Sequence, residues 1–123
     1  MSLRLETTCV DCQDPIALGR WWAELLAWKV TYESDEEVVI ESPEDNSVAL
    51  LFGKVPETKT IKNRLHFDLR PDDRDVEVAR AEAMGARRVD IGQGEPTWVV
   101  LGDPEGNEFC ILRAPRPDEA TSN

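Results

Sequence analysis

The only histidine of this 123-residue chain, His66, stands two residues before Asp68 in the segment KNRLHFDLRP. In an extended segment, side chains two apart share a face, so the imidazole and the carboxylate fall within electrostatic reach of each other. A carboxylate beside an imidazole favours the charged ring and can hold a proton donor or acceptor near neutral pH. General acid-base chemistry on a small carbonyl compound is one use of such a pair. The same alternation sets Arg64, His66, Asp68 and Arg70 in one row and Leu65, Phe67 and Leu69 in the other. A salt-bridged polar row lining a wet pocket or an interface is therefore the plainer alternative.

The three cysteines are the next reactive groups. Cys9 and Cys12 form a lone Cys-x-x-Cys, but in a strand they point to opposite faces and do not close on one metal or on each other. Cys12 reads as a small core residue. The glycines of GQGEP and GDPEGN do not make a phosphate loop, because no helix follows the first and the second is a turn. The acids of YESDEE and of Asp72, Asp73 and Asp75 read as a solvated loop and a helix start; a calcium loop needs a longer alternation of oxygen donors.

A formal charge of -11 argues against nucleic acid and anionic membranes as partners, since a surface facing phosphates carries the opposite sign. A neutral or cationic small molecule suits it better. The odd cysteine count, with no signal-like leader and no apolar run able to span a bilayer, points to a reduced cytoplasmic protein. The length fits one domain over 1–113, followed by a polar tail, APRPDEATSN, that leaves the fold as a flexible end over 114–123.

The elements that must position His66 and Asp68 recur. LRLETTCVDC reads as a strand, Asp14 and Pro15 open a helix ending near Ala27, and strands follow at Lys29 to Ser34, Glu37 to Glu41 and Ser47 to Lys54. Leu18, Trp22 and Leu25 give that helix an apolar stripe, and Gly19 within it suggests close packing against a neighbour. Trp21, Trp22 and Trp28 are candidates for core or dimer contacts. The pattern then restarts with a strand in RLHFDLR, a helix opened by Pro71, Asp72 and Asp73 with a stripe of Val76, Ala79 and Ala83, and a stop at Gly85. Strands at Arg87 to Ile91, Thr97 to Leu101 and Glu108 to Leu112 complete it. Two modules result, about 1–56 and 62–113. Thr7 to Asp14 lies over His66 to Asp73 at a shift of 59, and SPEDNSVALL over DPEGNEFCIL at a shift of 61, the drift being a loop insertion.

This doubled plan, with DCQDPIALGRWWAELLAWKV in the first half and KNRLHFDL plus WVVLGDPEGNEFCIL in the second, resembles the glyoxalase, bleomycin-resistance and dioxygenase (vicinal oxygen chelate) superfamily. It looks closest to glyoxalase-like domain proteins, and DPEGNEFC is the most specific part of the likeness. The resemblance implies an α+β fold of two βαβββ modules, whose curved mixed sheets form a cup with helices outside. It also implies metal ligands, in metal-dependent members, on the first and last strand of each module. Carried onto this chain those positions are Thr7, Ala49, His66 and Cys110. Only His66 is a usual ligand for an oxygen and imidazole site, so no catalytic metal and no cofactor are expected.

Under the same resemblance the polar row faces the cup. Its expected ligand contacts are Thr7, Arg64, His66, Asp68, Glu108 and Cys110, with apolar walls from Phe52 and Trp98, and Cys9 and Cys110 are its thiols. The expected function is a metal-independent small-molecule binding protein, with a ligand lying against His66 and Asp68. The alternative is a glyoxalase-like lyase or isomerase using His66, with Asp68 or Glu108, for proton transfer on a small carbonyl substrate. A subunit whose cup serves only assembly is a third reading. A homodimer follows from the habit of relatives to pair.

Overall fold

The computed structural model describes residues 2–44, 48–94 and 96–117. The expected start of a strand at Ser47 and the last six residues of the tail lie outside that range. The chain forms two compact units that divide between Thr58 and Lys59. Each unit is an open four-stranded mixed sheet carrying one helix, so the fold is α+β in two βαβββ halves.

In the first unit β1 (Thr8–Cys12) leads to α1 (Pro15–Leu26), then β2 (Lys29–Glu33), β3 (Glu37–Glu41) and β4 (Ala49–Lys54), in the order β1-β4-β3-β2. β1 runs parallel to β4 and the other pairs are antiparallel, as a β-α-β start followed by hairpins requires. α1 starts where Asp14 accepts a hydrogen bond from the Ala17 amide at 3.1 Å and Pro15 occupies the first turn. It stops at Ala27, which takes φ 56°, a left-handed conformation uncommon for a residue with a Cβ. The Trp28 amide bonds back to the Ala23 carbonyl at 2.9 Å, satisfying an end-of-helix acceptor. Leu18, Trp22 and Leu25 form the buried stripe, and they rest on Val38, Ile40, Leu50 and Phe52, all buried. Gly19 is required by that contact, because a Cβ there would lie 2.6 Å from Val38 Cγ1.

The second unit repeats the order with shorter strands. β5 (Phe67–Leu69), α2 (Arg74–Ala83), β6 (Arg87–Arg88), β7 (Val99–Gly102) and β8 (Glu108–Ile111) give the sheet β5-β8-β7-β6, with β5 parallel to β8. α2 is capped by Asp73, which accepts from the Val76 amide at 3.2 Å. Its buried residues are Val78 and Ala81 rather than the expected stripe of Val76, Ala79 and Ala83, and Val76 is 58% exposed. Both sets satisfy helical spacing; α2 meets β8 and buries the Val78 and Ala81 side.

β6 and β7 fall short of the expected strands because the intervening segment makes its own turns. Gly92 and Gly94 take positive φ, and Asp90 Oδ1 accepts from the Gly92 amide at 2.8 Å. In the turn between β7 and β8 the nine-tenths-buried Asp103 carboxylate accepts from the Glu105 amide at 2.9 Å, the Asn107 amide at 3.0 Å and the Asn107 side chain. Gly106 supplies the positive φ. The first unit has a weaker counterpart in Ser42, whose hydroxyl accepts from the Glu44 amide at 3.2 Å.

The registers of the two sheets coincide at a single shift. Cys9 pairs with Leu51 in the first unit, and Asp68 pairs with Cys110 in the second. The residue standing as Cys110 does is therefore Leu51 and not Ala49. The longer loop after Ser42 accounts for the two-residue difference.

Candidate functional site

β5 turns Phe67 and Leu69 toward the apolar side of its sheet, together with the buried Phe109 and Ile111 of the neighbouring β8. Alternation therefore presents Asp68 and Cys110 on the opposite face, side by side in register. His66 precedes the strand by one residue and lies over the same face. Its Nε2 is 3.2 Å from Asp68 Oδ1, and the two side chains are 41% and 51% exposed. The expected pair thus forms, and solvent reaches it.

Cys110 is buried beside them, and burial is the main cause that pushes its thiol above the ordinary range. The adjacent Asp68 charge and a hydrogen bond between thiol and carboxylate act in the same direction, while Lys62 opposes them. Cys110 is a protonated donor to Asp68 rather than a poised nucleophile. The ligating atoms of His66, Asp68 and Cys110 all lie within 4.8 Å of one another.

Glu108 shares this face of β8 but is engaged elsewhere. Its Oε1 accepts from the Asn63 amide at 2.8 Å and its Oε2 pairs with Lys59 Nζ at 3.0 Å. Burial raises the Glu108 pKa, but the hydrogen bonds from Asn63 and Lys59 outweigh it and hold the group below the usual carboxylate range. The expected part for Glu108 in proton transfer with His66 gives way to an anchoring one, because both its oxygens fasten the segment before β5. Nothing in the types or spacing of Lys59 and Asn63 signals this contact, which joins segments more than forty residues apart.

The other expected contacts are distributed differently. Arg64 is exposed, and Arg70 donates to the Arg113 carbonyl at 2.6 Å. Trp98 lies just before β7 and is 40% exposed. Thr7 belongs to the first unit, directly before β1, and is half-buried. Phe52 is fully buried with its ring beside Gly19 of α1, so it is a core residue and not an apolar wall for a ligand. Cys9 is exposed and Cys12 buried, as opposite faces require. A depression of about 510 Å³ lies in the loop between β6 and β7, lined by Arg88, Val89, Asp90, Gly92, Gln93 and Gly94. None of the expected site residues borders it.

No helix among the described residues is long and apolar enough to cross a membrane. The model of the glyoxalase-like domain family matches residues 7–112. No curated protein matches the sequence significantly. Among solved structures, the oxidase ChaP-H2 superposes with a TM-score of 0.66 at 22% identity, over 95% of this chain and 98% of that one. The bleomycin resistance determinant encoded on the transposon Tn5 gives 0.60 at 14% identity, over 91% and 98%. The fosfomycin resistance protein FosX of Listeria monocytogenes, complexed with Mn(II) and 1S,2S-dihydroxypropylphosphonic acid, gives 0.68 at 14% identity, over 93% and 92%.

Proposed function

Given that the chain belongs to the glyoxalase-like domain family, we propose that it is a metal-independent binding protein for a neutral or cationic small molecule, oriented by His66 and Asp68. The observation that carries this reading is the pair itself: an imidazole and a carboxylate 3.2 Å apart, both close to half exposed, on the face of the second sheet opposite Phe67 and Leu69. A carboxylate acceptor beside an imidazole orients a polar ligand, and the half-exposed side chains leave it an approach. The net charge of -11 favours encounter with a cation. The bleomycin resistance determinant and FosX lend support, since the same fold there serves resistance to small molecules. Arg64 and Trp98 remain candidates for further ligand contacts. The proposal includes a homodimer in the cytoplasm, which sedimentation and fractionation measure.

The test is a thermal-shift screen of the purified protein against cationic and aromatic metabolites. A ligand at a hundred times its dissociation constant stabilises by about 2.7 kcal/mol, a readily measured rise. The rise should vanish in His66→Ala and Asp68→Asn; absence of any shift across all classes at high excess refutes the proposal.

A second reading is a lyase or isomerase in which His66 moves a proton on a small carbonyl compound. The observation favouring it is the accessible His66 ring held by a carboxylate, the arrangement a general base needs. Unchanged turnover in His66→Ala would end it.

A further inference from the structure

Metal-dependent relatives, by the resemblance above, draw ligands from the first and last strand of both modules. In this chain the first-module positions hold Thr7 and, by register, Leu51, neither of which suits a divalent ion. The hard-metal set of the family is thus not present. What the second module holds is a different set: one imidazole just before β5, one carboxylate on β5 and one thiol on the adjacent β8.

We propose that His66, Asp68 and Cys110 form a three-donor site for a thiophilic divalent ion of the zinc class. Tetrahedral zinc places nitrogen and oxygen ligands at about 2.0 Å and sulfur at about 2.3 Å, so neighbouring donors stand roughly 3.3 to 3.5 Å apart. His66 Nε2 and Asp68 Oδ1 already meet that spacing at 3.2 Å. The remaining separations reach at most 4.8 Å, and closing them takes movement of about 1 Å. His66 and Asp68 are exposed enough to make it, while Cys110 is held in β8 with its thiol in place.

The donor chemistry selects the ion. Magnesium, calcium and manganese favour oxygen, whereas sulfur and imidazole together favour zinc and its neighbours. Coordination replaces the Cys110 proton with the ion, so binding releases a proton. Three protein ligands leave the fourth position open toward solvent, on the exposed side of His66 and Asp68. An ion there engages the two side chains used in the binding proposal, so it acts as an antagonist of the ligand; the site itself does not rest on that proposal.

The experiment is a Co2+ titration of the full chain under reducing conditions, read by the near-ultraviolet thiolate-to-cobalt charge-transfer band, and it needs no small-molecule ligand. The expected result is one band saturating at one equivalent and displaced by Zn2+. Affinity should fall by about tenfold or more in His66→Ala and in Asp68→Asn. The band should persist in Cys9→Ser and vanish in Cys110→Ala, with circular dichroism confirming that each variant folds. Zn2+ should also slow alkylation of Cys110 by N-ethylmaleimide, read from the peptide masses. No band in the unaltered chain, a band that survives Cys110→Ala, or displacement of Co2+ by equimolar Mn2+ overturns the assignment.

Discussion

Replacing Glu108 with alanine strands the Asn63 amide, now bonded at 2.8 Å, and takes the charged partner at 3.0 Å from Lys59 Nζ, which keeps only the Ile61 carbonyl. The side chains of Lys59 and Glu108 are only 17% and 11% exposed, so this is not a surface ion pair of negligible worth. An unsatisfied part-buried amide costs about 1 to 3 kcal/mol, and breaking a fully buried ion pair about 3 to 5. Lys59 keeps some access to water, which brings the expected loss for Glu108→Ala to about 2 to 3 kcal/mol. Glu108→Gln retains an acceptor for Asn63 but not the charge, and should lose about 1 to 2 kcal/mol. Urea unfolding at neutral pH measures both through the midpoint at constant slope. The pH dependence supplies a further check. The folded Glu108 pKa is depressed, so its stabilisation is complete above the ordinary carboxylate range and disappears as pH falls through the folded value. The gap between the native chain and Glu108→Gln should accordingly narrow on acidification. A Glu108→Ala variant within about 0.5 kcal/mol of the native chain, or a gap unchanged down to the acid limit, would refute the anchoring role.

Two other substitutions test the first unit. Gly19→Ala gains about 1 kcal/mol of helix propensity, yet its Cβ meets Val38 Cγ1 at 2.6 Å and Val38 Cβ at 3.0 Å, and overpacking costs about 1 to 3. A lower melting temperature is expected, and a higher one would contradict the packing. Ala27→Gly relieves the left-handed φ of 56° and should stabilise by about 0.5 to 1 kcal/mol, since the position favours a residue without Cβ; a loss in thermal unfolding would count against that cap.

What the chain discloses before folding is chiefly local. The i, i+2 spacing of His66 and Asp68, the Asp14 and Pro15 start of α1 and the opposite facing of Cys9 and Cys12 depend on neighbouring residues, and the structure has each as expected. The doubled βαβββ order is likewise readable from the sequence of turns. Phe52 is different, because Leu50 and Phe52 alternate with Ala49 and Leu51, and β4 offers an apolar row on either face. Only the α1 contact decides which row is covered. α2 poses the same ambiguity between two stripes. Cys110 comes to Asp68 through the β5 and β8 register, and Glu108 to Lys59 through a long-range closure; neither has a local sequence signature.

The turn around Asp103 bears on how relatives of this chain are recognised. Its carboxylate, the Glu105 and Asn107 amides and the positive φ of Gly106 satisfy one another within five residues. The Asp103 carboxylate and the Asn107 side chain of DPEGN are engaged in shaping the chain reversal. A search keyed on this motif will therefore gather proteins that share a way of closing a sheet. Sorting them by what they bind calls for the residues at positions 66, 68 and 110.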